Sequence, residues 1–155
     1  MNTQGFERLK RTQRIITTPH VSRFIAFPLS ETDILYLQHI FILNGIHLIT
    51  VENKETGRTI IKQMLDSLQW YYNCAVLTDT SISSHTITTL ASYFDDTVTE
   101  EKMVDFFATQ FYFDFLFIEA TESLLAKPWI TLFETTMLNF HIDYMTPIIV
   151  LHYVE

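Results

Sequence analysis

Eight consecutive residues, Glu52-Asn53-Lys54-Glu55-Thr56-Gly57-Arg58-Thr59, carry a spacing that belongs to phosphate chemistry. A phosphate-cradling loop runs Gly, four residues, Gly, Lys, then Ser or Thr. Backbone N–H groups hold the phosphate oxygens, the lysine reaches the β and γ oxygens, and the hydroxyl holds magnesium. Here Gly57 and Thr59 keep their places, but Glu52 stands at the first glycine and Arg58 at the lysine. A carboxylate and a Cβ at Glu52 oppose the close approach of backbone to phosphate, so the stretch reads as a phosphate loop that has lost its chemistry. The second half of such a site is an acid ending another strand. Phe115-Leu116-Phe117-Ile118-Glu119 supplies one, with Glu119 where aspartate is usual.

Each of these residues has two readings. Arg58 and Thr59 can keep a residual nucleotide contact, the arginine on phosphate and the hydroxyl on metal. They can instead be a solvated arginine and a first-turn threonine, the more ordinary role for these residues at a helix start. Glu119 can activate water or hold a metal, or it can be a carboxylate near the next helix's N-terminus, where the macrodipole favours it. His20, His39, His47, His85, His141 and His152 do not recur at metal-ligand spacing, and a single cysteine, Cys74, offers no zinc set, so no metal or cofactor is expected. Asp79, Ser83, Ser84 and His85 lie close in sequence without a G-x-S-x-G elbow, which argues against a hydrolase. Phe106, Phe107, Phe111, Tyr112, Phe113, Phe115 and Phe117 lack the interleaved cations of a base-stacking surface, which makes them core or interface.

The elements that must position these groups alternate along the chain. Ser30 is a plausible N-cap for a helix over 31–43, with Asn44-Gly45 as its stop. A strand over 46–51 follows, then the degenerate loop. Ile60, Ile61, Met64, Leu65 and Leu68 repeat at helical spacing and predict a helix over 57–71. The run 74–78 reads as a buried strand, 85–94 as a weak helix, and Thr97-Val98-Thr99-Glu100 as the capping box of a better one. An aromatic strand over 112–118 leads into Glu119. A helix over 121–142 should be kinked or split at Pro128, and Pro147 precedes a last strand over 148–153. That strand or its neighbour is expected to be an exposed edge. The segment 23–27 is a possible further strand, placed at an edge by Pro28.

Strands separated by helices predict βαβ units: a three-layer α/β sandwich with a mostly parallel central sheet of four to five strands. Residues 1–28 read as a basic arm with a possible edge strand, and 29–155 as one α/β domain. On these strands, in this order, the loop and Glu119 resemble the core of the recombinase-like P-loop NTPase family and its KaiC-like members, from about Gly45 to Tyr153. A second resemblance is of pattern: the N-terminal domain of the cytoplasmic regulatory E subunit of bacterial cellulose secretion. There too a helix leads to a Gly-hydrophobic strand (here Asn44-Gly45-Ile46-His47-Leu48), with a later strand ending in Glu119-Ala120, a Trp-containing helix around Trp129 and a terminal Ile148-Ile149-Val150 strand. That family reads cyclic di-GMP through an R-x-x-D motif in a separate C-terminal domain. No R-x-x-D occurs here, so the resemblance implies no cyclic-dinucleotide site.

Composition narrows the function classes. Hydrophobic residues make up 48% and Gly numbers only 3, so the chain has material for a packed core. The net charge is −8, yet Arg8, Lys10, Arg11, Arg14 and Arg23 face a single acid, Glu7, in the first 23 positions. The remainder then carries five basic and seventeen acidic residues, and an acidic body disfavours nucleic acid as a partner. The lone Cys74 and the absence of an apolar h-region in residues 1–14 lead us to expect a cytoplasmic protein. The apolar stretch 34–51 is interrupted by Gln38, His39, Asn44, Gly45 and His47, which predicts a helix and a buried strand rather than a membrane span.

These readings converge on a pseudo-NTPase acting as an adaptor or regulatory subunit, with a protein partner or a second copy, in the bacterial secretion setting that the second resemblance implies. Trp70, Tyr71, Tyr72, Trp129, Phe133, Met137 and Phe140 are the candidate interface, because aromatics anchor interfaces; sheet-facing core is their competing reading. An atypical phosphoryl-transfer enzyme using Arg58, Thr59 and Glu119 is the alternative. A membrane-surface accessory protein, touching lipid only peripherally through Arg8, Lys10, Arg11 and Arg14, is a third.

Overall fold

Apolar runs bounded by polar residues build the sheet, and helices with one apolar stripe cover it. The computed structural model describes residues 21–26, 28–68, 71–78 and 87–154. In chain order the elements are β1 (Val21–Phe24), α1 (Glu31–His39) with a 3-10 turn Ile40–Ile42, β2 (Gly45–Val51), α2 (Lys54–Leu68), β3 (Cys74–Leu77) and β4 (Ile87–Thr89). A 3-10 turn Leu90–Tyr93 follows, then α3 (Glu100–Thr109), β5 (Phe115–Ala120), α4 (Glu122–Leu125), α5 (Ile130–Asn139), α6 (Ile142–Met145) and β6 (Pro147–Tyr153).

Among the described residues the sheet has six strands in the order β1-β2-β6-β5-β3-β4, all parallel. Right-handed crossovers decide which face each helix takes. Connections that step toward β4 put α1 and α2 on one face, and those that step back put α3 to α6 on the other. On the α1/α2 face Ile49, Val51, Val76, Phe115, Phe117, Ile149 and Leu151 meet Ile60, Ile61, Met64 and Leu65. On the opposite face Ile46, Leu48, Leu77, Leu116, Ile118, Ile148 and Val150 meet α3 and α5 through Met103, Phe106, Phe107, Phe133 and Met137. Strands covered on both faces have no need of polar alternation, which is why β3 and β5 are buried at every position.

Three expectations are corrected. The strand count is six, because the segment read as a weak helix over 85–94 is β4 followed by a 3-10 turn. β-branched Ile87, Thr88 and Thr89 pair with Cys74, Ala75 and Val76, and pairing overrides the helical reading. The last strand is not an edge: β6 lies between β2 and β5, and the edges are β1 and β4. The helix after β2 begins at Lys54, three residues early, because Oδ1 of Asn53 accepts from the Thr56 N–H at 2.9 Å and caps it. Pro128 does divide the helical segment, and a second break follows at His141, which sits in the left-handed region at φ 56°.

Candidate functional site

β2, β6, β5 and β3 lie side by side, so their C-terminal ends bring residues from four parts of the sequence together, where open α/β sheets bind ligands. Glu119 is the penultimate residue of β5 and is only 2% exposed. Leu77 pairs with Ile118, which sets Thr78 beside Glu119, and the Thr78 hydroxyl donates to Oε1 at 2.7 Å. From β6 the Tyr153 hydroxyl donates to Oε2 at 2.5 Å, and Nε of Arg58 on α2 donates to the same oxygen at 3.3 Å. Both carboxylate oxygens are therefore engaged. Burial pushes the Glu119 carboxyl up, but the Tyr153 hydroxyl, then Thr78 and the Arg58 guanidinium, outweigh it and hold the group below its ordinary value.

Gly57 sits in the first turns of α2 for a reason unrelated to phosphate. A Cβ there would lie 2.4 Å from Cε1 of Tyr153, so the missing side chain is the space that the tyrosine ring occupies. The connection between β2 and α2 is Glu52-Asn53 alone, and the residues expected to form a cradle are the capped first turn of the helix. Thr59 is exposed and its hydroxyl donates to the Glu55 carbonyl at 2.9 Å, a back-bond along the helix.

Of the predicted site residues, Gly57, Arg58 and Glu119 come together, while Glu52 and Thr59 stand on the exposed surface. Thr78 and Tyr153 were missed. Thr78 directly follows the apolar run 74–77 and Tyr153 stands two positions beyond the run 148–151, which is a signal, but only the strand order shows that both flank Glu119. Beside the cluster, Lys54, Glu55, Arg58, Thr59 and Lys62 line a shallow concavity of about 430 Å³ on the outer side of α2. Among the described residues no three His, Cys, Asp or Glu side chains are placed to hold a metal.

The candidate interface needs correcting. Trp129, Phe133 and Met137 are buried in the aromatic core, and Phe140 packs against it half-buried. Phe94 centres that core, meeting Phe106 edge-on at 5.1 Å and Phe133 at 5.7 Å. An apolar load that resembled interface material is spent covering the far face of the sheet. Tyr72 meets Phe115 edge-on at 5.2 Å, whereas Tyr71 is 82% exposed. Trp70, Asp79, Ser83, Ser84, His85, Arg8, Lys10, Arg11 and Arg14 lie outside the described residues.

Among the described residues no helix is long and apolar enough to cross a membrane. Compared with known proteins, no family model, no curated protein and no solved structure matches the chain.

Proposed function

We propose that this chain is a catalytically inactive α/β domain that serves as a protein-interaction adaptor or regulatory subunit. The observation that carries the reading is the saturation of Glu119 by Tyr153, Thr78 and Arg58. A working phosphoryl-transfer site on these residues needs a backbone cradle, a hydroxyl turned toward metal and a carboxylate with room to coordinate. The Asn53 cap takes the first, the Thr59 back-bond the second and Tyr153 the third. The pattern shared with a regulatory secretion subunit supports the same side. So do the exposed apolar side chains Leu35, Ile42, Tyr112, Tyr144 and Met145 on an acidic body.

Isothermal titration of the full chain with ATP and with GTP, each with magnesium, tests the inactive-site reading. No saturable heat is expected up to millimolar nucleotide. Saturable binding that disappears in Arg58→Ala would overturn it.

A further inference from the structure

Beyond residue 23 the chain has five basic residues, and three of them, Lys54, Arg58 and Lys62, stand four apart on α2, in the shallow concavity that Glu55 and Thr59 complete. One flank of the helix therefore carries a row of cations rising by about 6 Å per step. Like charges at this spacing oppose the helix, and cations in its first turns face the positive end of its macrodipole, so the row costs α2 stability. Within the same helix Glu55 and Asp66 are the exposed acids beside it. On the opposite face of the sheet α3 and the turn before it carry the reverse pattern. Asp95, Asp96, Glu100, Glu101 and Asp105 are all exposed, and Lys102 is the single base in residues 95–105. Glu101 and Asp105 repeat the four-residue step and edge a cavity of about 680 Å³ floored by Tyr93, Phe94 and Phe106. Tyr93 is 51% exposed there, and Val104, exposed by 41%, falls between Glu100 and Glu101 on the helix wheel.

We propose that α2 of one copy packs against α3 of the next, the cation row meeting the acidic ridge, so that the chain assembles head to tail with itself. The steps match: both rows advance by four residues, and two helices about 8–10 Å apart bring such charges within reach of each other. The Lys62 stem then covers Val104 while its ammonium enters the cavity over Tyr93, where the ring face, Glu101 and Asp105 all favour a cation. Because the row and the ridge are on opposite faces of the sheet, two copies in contact leave one of each unused. The contact is heterologous and continues into rings or filaments. A net charge of −8 opposes association at long range, but physiological salt screens exposed charges beyond about 8 Å and leaves pairs in contact attractive. This deepens the adaptor reading, on which its purpose rests, by naming a second copy as a partner. The two fail separately, since the nucleotide test turns on Arg58 and the experiment below leaves Arg58 in place.

Sedimentation velocity of the full chain at rising concentration, in about 0.15 M and about 1 M sodium chloride, tests the contact. Species larger than dimers are expected at the lower salt and monomers at the higher. Lys54→Glu with Lys62→Glu, and Glu101→Lys with Asp105→Lys, should each sediment as monomers alone. An equal mixture of the two variants should restore the large species, because the row of each then faces a ridge of opposite sign on the other. A wild-type chain that stays monomeric, an assembly that stops at two copies or survives the higher salt, or a mixture no larger than its components would each overturn the contact. Helical circular dichroism checks both variants, and the wild-type salt dependence decides alone should a reversal fail to fold.

Discussion

The hydroxyl of Tyr153 donates to Oε2 of Glu119 at 2.5 Å across two neighbouring strands, and the ring that carries it fills the space left by the missing side chain of Gly57. A glycine and an acid that suggest phosphate chemistry in sequence are joined by a third residue that occupies the site.

Gly57→Ala is the sharpest test of that packing. A methyl inside van der Waals contact with Tyr153 should destabilise the fold by about 1–3 kcal/mol in urea unfolding. In a Tyr153→Ala background the three atoms nearest that position are gone, and the same change should reverse sign, adding roughly 0.5–1 kcal/mol as alanine replaces glycine in a helix. The same sign in both backgrounds would mean that Tyr153 is not what Gly57 accommodates.

Glu119 sets a pH dependence. Its folded pKa is depressed, so its contribution is present above the unfolded carboxylate value of about 4.3 and is lost as pH falls through the lower folded value. Unfolding followed from pH 6 to pH 3 should show an acid limb that Tyr153→Phe makes shallower. Asp33, held low chiefly by the Arg23 side chain, adds to the limb with the same sign, so Asp33→Asn is the control.

A second network ties α1 to the sheet edge. Nε of Arg23 donates to Asp33 at 2.7 Å, the guanidinium lies 4.9 Å from the Tyr36 ring centre, and the Tyr36 hydroxyl meets Nδ1 of buried His47 at 2.9 Å. Nε2 of His47 faces the Leu43 carbonyl at 2.8 Å, which makes Nδ1 the acceptor. Tyr36→Phe should cost about 1–2 kcal/mol and raise amide exchange in α1 before α3. Uniform loss of protection across both helices would contradict this.

The Cys74 thiol is buried and pushed up to about 11 by burial and the nearby Asp114. It should resist alkylation at pH 8 in the folded protein and react at once in urea. Rapid labelling of folded protein would mean that β3 opens far more easily than its burial implies.

Phe133→Asp separates core from interface. With Phe107 at 5.2 Å and Phe94 at 5.7 Å around a fully buried ring, the substitution should abolish the helical circular dichroism signal rather than merely change oligomeric state.

Much of the sandwich was legible because its signals are local. The cap at Ser30, the continuous apolar runs of β2, β3, β5 and β6, and the break at Pro128 need no knowledge of neighbours, whereas the box read at Thr97-Val98-Thr99-Glu100 falls two residues early, because the Thr99 hydroxyl accepts from the Lys102 N–H and caps α3. β4 was not legible, because three β-branched residues carry too little pattern without the strand they pair with. The central place of β6 was hidden for a related reason, since sequence order does not reveal strand order. The site was half legible. Glu119 and Gly57 stood out by type, but Thr78 and Tyr153 gain their meaning only from standing next to Glu119 in space. The Asn53 cap was readable in principle, and the familiar glycine spacing drew the helix start to Gly57 instead. Trp129, Phe133 and Met137 show the limit of composition, which counts aromatic side chains without telling a covered sheet face from an exposed one.

The central claim is that Glu119 is a structural carboxylate, and a urea titration of Glu119→Gln at pH 7 tests it most directly. Loss of about 1–3 kcal/mol with the fold retained is the predicted result, since three donors lose a charged acceptor. Unchanged or raised stability would contradict it, because that is the behaviour of a carboxylate held for function at the expense of the fold.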